Sequence, residues 1–186
     1  MANKHKHQRV GIFIDIPNLY HSAKNFYNAR INFLNVIERA LENRQLIRAI
    51  GYAAKAEEPG ESSFFDMLGR LGVDMKIKDL QIYPDGTKKA DWDVGIAVDA
   101  IKLSSNLDTI VLCSGDGDFI PLVQYLQALG KQVEVVGLGQ TTNGKLKEIA
   151  DDFVDISEHP NQYLIPIHDN TKKANFKRKG RSNKTK

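Results

Sequence analysis

The chain has 186 residues, of which 41% are hydrophobic and 26% charged, proportions that suit one globular domain with tails and exclude a wholly disordered or fibrous chain. No apolar run approaches the roughly 18 residues needed to span a bilayer, and the single cysteine, Cys113, excludes an intrachain disulfide. The net charge of +3 conceals an asymmetry: residues 172–186 hold eight Lys/Arg and residues 1–9 hold three, neither with an acid, so residues 10–171 carry 15 basic against 23 acidic groups, a net of −8. DNA-binding domains usually have a basic folded face, and an acidic body with basic ends is unlike them. It suits a carboxylate-rich site with a basic arm that can hold a polyanion. Met1 to Arg9 contains Lys and His but no apolar stretch of the secretory kind, and the expected location is the cytoplasm.

The expected organisation is a flexible tail (1–8), a folded domain (9–160) and an extension (161–186) ending in a basic, disordered tail. Val10-Gly11-Ile12-Phe13-Ile14-Asp15 reads as a buried strand, short, apolar and branched, with Asp15 the first charge at its C-terminal end. A helix is predicted through about Asn28, and another over Asn32–Glu42 with Asn32 as its cap. Leu46–Ala54 is a second strand. Glu58-Pro59-Gly60 is a turn, and the next helix carries Phe65, Leu68 and Leu71, capped by Ser62 or Ser63 and stopped at Gly72. Asp74–Tyr83 alternates like a half-exposed edge strand. Pro84-Asp85-Gly86 turns into a short return strand at 87–89.

Asp91-Trp92-Asp93 opens a helix to about Ser104 whose expected buried stripe is Ile96, Ala97, Ala100, Ile101 and Leu103. Thr109–Cys113 is a strand, Ser114–Asp118 a turn, and a helix follows with Phe119, Leu122, Val123, Leu126 and Leu129 on one face. Gln132–Leu138 is an apolar strand, 139–144 a loop, 145–151 a helix and 153–156 a short last strand; beyond Pro160 the pattern weakens. Strands alternating with helices indicate an α/β fold with a mostly parallel sheet.

In such sheets ligands sit beyond the C-terminal strand ends, where the strand order reverses. Asp15 ends the first strand and Asp116 follows the 109–113 strand, so the two converge if those strands are neighbours. Asp93 joins them from the inward face of its helix, since Ile96, Ala97 and Ala100 share that face. Grouped carboxylates repel one another and raise each other's pKa, and a hard divalent cation such as Mg²⁺ or Mn²⁺ removes the repulsion. A cation held this way can neutralise phosphate charge and activate water, the basis of metal-dependent phosphodiester hydrolysis.

Four segments, in order, resemble the NYN domains, the branch of the PIN-like nuclease superfamily that includes the LabA-like bacterial proteins. They are Phe13-Ile14-Asp15-Ile16-Pro17-Asn18-Leu19; Lys89 to Ala100 around Asp91-Trp92-Asp93; Ser114-Gly115-Asp116-Gly117-Asp118-Phe119 with Pro121-Leu122; and Leu146-Lys147-Glu148-Ile149-Ala150-Asp151-Asp152-Phe153. The likeness covers roughly residues 9–157. It implies a three-layer α/β/α sandwich and Mg²⁺- or Mn²⁺-dependent RNA cleavage, with Asp15, Asp93, Asp116 and Asp118 as the acidic catalytic and metal-binding set and Asn18 as the motif asparagine. Asp99 matches a recurrent position but lies about 240° around the helix from Asp93, a supporting place. The family also contains regulators, so the alternative is a non-catalytic RNA-binding or regulatory module.

Several residues carry two readings. Asp118 is either a metal ligand or the cap of the following helix. Asn18 either binds a phosphate oxygen or holds Asp15, and Ser114 either donates to phosphate or shapes the turn. Lys89 either reaches substrate or belongs to a solvated face. Trp92 and Tyr83 either stack on bases or pack. Gly137-Leu138-Gly139 follows the wrong strand for a dinucleotide fingerprint. A Toprim site would need a glutamate after the first strand and a haloacid-dehalogenase site an Asp-x-Asp; the chain has Asp15-Ile16-Pro17. The expected partners are RNA, contacted in part by the basic C-terminal arm, and a second copy of the chain as a homodimer, with no membrane.

Overall fold

A computed structural model of the chain describes residues 4–55, 60–79, 81–82, 88–89 and 91–167, the pairs 81–82 and 88–89 by their backbone alone. In chain order the elements are β1 (Arg9–Asp15), α1 (Ile16–Tyr27), β2 (Ala29–Ile31), α2 (Phe33–Leu41), β3 (Gln45–Lys55), α3 (Glu61–Arg70), β4 (Val73–Asp79), β5 (Gln81–Ile82) and β6 (Lys88–Lys89). The second half contains α4 (Asp93–Ser104), β7 (Thr109–Cys113), a 3-10 turn (Gly117–Phe119), α5 (Ile120–Ala128), β8 (Gln132–Gly137), α6 (Gly144–Ile149), β9 (Asp152–Asp155), α7 (Pro160–Tyr163) and β10 (Leu164–Pro166).

Among the described residues, six strands form one parallel sheet in the order β4-β3-β1-β7-β8-β9. The first half of the chain builds outward from β1 in one direction and the second half from β7 in the other. The switch point therefore falls between β1 and β7, as an arrangement with ligands at the C-terminal strand ends requires. Both strands are buried on both faces, and their alternate residues feed two cores. Val10, Ile12 and Ile14 pack with Leu19, Ala23, Val36 and Leu68 from α1, α2 and α3. Phe13, Ile110 and Leu112 pack with Ile96, Ala100, Leu122, Leu126 and Leu146 from α4, α5 and α6. Helix layers on both faces complete an α/β/α sandwich. Among the described residues no helix is long and apolar enough to cross a membrane.

Contacts cross the expected boundaries at residues 9 and 160. Lys4 bridges Glu42 and Asp152, each at 2.7 Å, and approaches Glu134 at 3.4 Å. At the other end β10 pairs antiparallel with β2, and Asn32 donates its backbone N–H to Tyr163 O at 2.8 Å. Asn32 caps α2 as expected, its side chain accepting from Asn35 N. The expected cap of α3 at Ser62 or Ser63 is corrected: Gly60, at φ 89°, takes that position and both serines lie in the first turn.

Two residues assigned to buried faces are exposed. Ile101 is 40% exposed because the inward face of α4 is set by Ile96, Ala100 and Ser104, and Ile101 lies about 100° away. Leu129 is 49% exposed because α5 ends at Ala128 and the chain turns away through Gly130 at φ 76°. Tyr83, the 84–86 turn, His168 and the basic tail lie outside the described residues, as does the side chain of Lys89.

Candidate metal centre

The register of the central strands brings the first two motifs together. Ile14 pairs with Cys113 across β1 and β7, so Asp15 and Ser114 are the next residues on adjacent strands. Both are buried. Ser114 Oγ donates to Asp15 Oδ2 at 3.0 Å, and Asp15 Oδ1 accepts from Asn18 N at 3.2 Å, which caps α1. Asn18 returns the link: its Oδ1 accepts from Gly115 N at 2.9 Å. Ser114 Oγ in turn accepts from Asp116 N at 3.2 Å. One buried carboxylate therefore organises the helix start on one strand and the turn on the other.

The exposed end of this network carries the acidic cluster. Asp93, Asp116 and Asp118 each offer a carboxylate oxygen, and the three atoms lie within 4.8 Å of one another. Asp116 caps the 3-10 turn by accepting from Asp118 N at 3.0 Å, and this bond draws the two side chains of the turn together. Asp93 opens α4, where Asp91 accepts its backbone N–H at 2.9 Å. Trp92 occupies the cap position without a side-chain bond, so Asp91 caps the helix start from one residue further out. Of the four expected aspartates, three face a common point, and Asp15 lies beneath them with its oxygens engaged by Asn18 and Ser114.

The electrostatics match this layering. Burial raises the Asp15 carboxyl to about 6; the bonds from Asn18 and Ser114 pull it down, while Asp116 and Asp91 push it up. Asp93 is raised to about 7, first by burial, then by the shared hydrogen bond and charge of Asp91, and then by Asp116 and Asp15. Two carboxyls that titrate near neutrality, beside a third and fourth, mark a site short of positive charge.

Aromatic packing anchors the start of α4, where Asp93 lies. The Trp92 ring lies 5.4 Å from that of Tyr52 between centroids, and its Nε1 donates to Ala53 O at 2.8 Å. Lys78 Nζ sits 4.4 Å from the Trp92 ring centre and donates to Asp91 O. Trp92 is thus locked against the end of β3. Asp99, six residues after Asp93 along α4, accepts from Tyr52 Oη at 2.7 Å and from Lys76 Nζ at 2.6 Å. Burial opposes its charge, but Lys76 and Tyr52 hold its carboxyl below the usual range. It braces Tyr52, the ring against which Trp92 packs.

The loop expected at 139–144, which motif reasoning did not connect to the site, covers the other side. Residues 138–143 run from β8 across the Ser114–Asp118 turn, and Asn143 N donates to Gly115 O at 2.9 Å. A Cβ on Gly115 would stand 3.0 Å from both Thr142 Cα and Oγ1, and one on Gly117 would stand 2.5 Å from Asn143 Nδ2. The glycines flanking Asp116 are there because another segment lies on them. The legible signal was Asn143-Gly144 at a strand-to-helix junction, where Asn143 caps α6.

A family model described as the NYN domain matches residues 9–158. The chain belongs to the NYN family. This NYN domain is 27% identical over 159 residues to the low amplitude and bright protein LabA of Synechococcus elongatus, covering 81% of this chain and 84% of that one. It is 39% identical over 70 residues to an uncharacterized protein, MJ0482, of Methanocaldococcus jannaschii, covering 37% of this chain and 29% of that one. It also resembles the crystal structure of VPA0982, a protein of unknown function from Vibrio parahaemolyticus, with a TM-score of 0.79 and 30% identity, covering 88% of this chain and all of that one.

Proposed function

We propose that this NYN domain is a divalent-metal-dependent ribonuclease that hydrolyses phosphodiester bonds. The observation that carries the reading is the convergence of Asp93, Asp116 and Asp118 within 4.8 Å at the strand switch point. The donor set fits a hard cation: all its donors are oxygen, it is rich in negative charge, and it is partly open, so water and a substrate can reach it. Asp93, Asp116 and Asp118 would hold Mg²⁺ or Mn²⁺. Bound there, the ion supplies positive charge against a phosphate and makes water a stronger nucleophile.

The chain's own residues do the rest. Asp15 stays below the cluster and, through Ser114 Oγ, fixes the backbone N–H of Asp116. Asn18, committed to Gly115 N through its oxygen, ties α1 to the turn. The Trp92 ring anchors the start of α4, which carries Asp93, against β3. Asp93, raised towards neutrality first by burial and then by Asp91, Asp116 and Asp15, would give up its proton to bound positive charge.

The test is cleavage of labelled single-stranded and structured RNA in Mn²⁺, in Mg²⁺ and in EDTA, with Asp116→Asn alongside. Cleavage that needs metal and is lost in the variant is the expected result. Equal cleavage by variant and wild type refutes it. Tight RNA binding without cleavage would make the domain a binding module. Removing residues 172–186 tests the basic arm: RNA affinity should fall and its salt dependence should flatten.

A further inference from the structure

We propose that Asn143, in the loop between β8 and α6, is a substrate-contacting residue that presents its side-chain amide N–H to a phosphate oxygen at the acidic cluster. The proposal rests on the reading of that cluster as a metal-dependent phosphodiester site.

The orientation of the amide follows from its partners. Asn143 Oδ1 accepts from Lys145 N at 2.9 Å and from Leu146 N at 3.2 Å. Both partners are donors, so only the oxygen can face them, and Nδ2 is turned the other way. There it lies against Gly117, the residue between Asp116 and Asp118: a Cβ built on Gly117 would stand 2.5 Å from Nδ2 and 2.9 Å from Asn143 Cγ. Asn143 is exposed, and among the described residues its Nδ2 has no hydrogen-bond partner. A donor pair is thus held over the turn that carries two of the three clustered carboxylates, on a residue that is itself exposed.

Capping α6 does not need this group. Aspartate and serine cap a helix start as well as asparagine does, and aspartate is the better choice where the helix dipole is concerned. Asparagine differs from both in offering N–H donors without charge. Beside Asp93, Asp116 and Asp118 a further carboxylate would repel an incoming phosphate, whereas an amide N–H attracts it. A backbone bond from Asn143 N to Gly115 O fixes the loop at this point, so the donor arrives pre-positioned.

The experiment compares wild type, Asn143→Ser and Asn143→Asp by three measurements. Thermal unfolding reads the cap, calorimetric titration with Mn²⁺ reads the cluster, and fluorescence anisotropy of a labelled single-stranded RNA in Mn²⁺ reads the substrate, with KM taken instead where the RNA is cut. Both variants should keep the wild-type melting temperature and bind Mn²⁺ at least as tightly as wild type. RNA affinity should fall about tenfold in Asn143→Ser, the loss of one hydrogen bond to a charged acceptor, and further in Asn143→Asp. Wild-type RNA affinity in Asn143→Ser overturns the proposal and leaves the metal site standing, as does a weakening accompanied by an equal loss of Mn²⁺ affinity. A wild-type protein that binds neither Mn²⁺ nor RNA overturns the metal-site reading, and this proposal with it.

Discussion

Replacing Asp15 by asparagine should stabilise the metal-free protein at neutral pH, although Asp15 is a residue around which the site is built. Its carboxyl is 6% exposed and is raised from 3.8 to about 6, chiefly by burial. Between those two values the folded chain keeps a proton that the unfolded chain has released. Stability is therefore full below about pH 4, falls as the pH rises through about 6, and stays lower above it. A shift of about two units corresponds to about 3 kcal/mol. Asparagine never ionises and escapes this loss. Its altered bond to Ser114 costs about 1 kcal/mol at every pH, which displaces the curve without changing its slope. Urea unfolding in EDTA across this pH range measures the difference between Asp15→Asn and wild type. The variant should gain about 3 kcal/mol on wild type between the acid and neutral ends. A difference that stays constant with pH, to within about 0.5 kcal/mol, would refute the claim that burial of a charged Asp15 strains the fold.

Three further outcomes follow from the same geometry. Mn²⁺ should raise the melting temperature more at about pH 8 than at about pH 5, because Asp93, raised to about 7, holds a proton at the lower pH that the cation must displace; equal shifts at both pH values would show that Asp93 is not a ligand. Trp92→Ala removes the contact with Tyr52 and the bond to Ala53 O; it should cost about 3 kcal/mol in urea unfolding and weaken Mn²⁺ binding, whereas unchanged Mn²⁺ affinity would show that the ring does not position Asp93. Glu134→Ala strands Arg44, which is buried and doubly bonded to Glu134 at 2.7 and 2.9 Å; the expected loss is about 3–5 kcal/mol, with Mn²⁺ affinity unchanged below the melting temperature.

Much of the frame was legible because it is written in local pattern. Short apolar runs marked β1, β7 and β8 as strands, and the alternation of strand and helix pointed to a parallel sheet. The inward face of α4 could be read from Ile96 and Ala100 to within one residue, and Ile101 shows the limit: a step of about 100° separates a core position from an exposed one. The strands β2 and β10 were not legible. Each is three residues long, too short for a period to show, and each exists because the other end of the chain pairs with it.

By itself the sequence determined the cast of the site, namely aspartates at the ends of the first and seventh strands and at the start of α4, flanked by glycines. The charges sit where apolar runs stop, and chain order alone puts those stops on one edge of a parallel sheet. Tertiary structure decided where each of them sits. Across the β1–β7 register Ser114 and Asn18 occupy the oxygens of Asp15 and draw it beneath the cluster, while Asp93, Asp116 and Asp118 are left facing one point. It also decided why Gly115 and Gly117 are glycines, since the loop that lies on them comes from the neighbouring strand, more than twenty residues away in the chain. Hydrogen bonds and close contacts between distant segments depend on register and packing, and no local pattern records them.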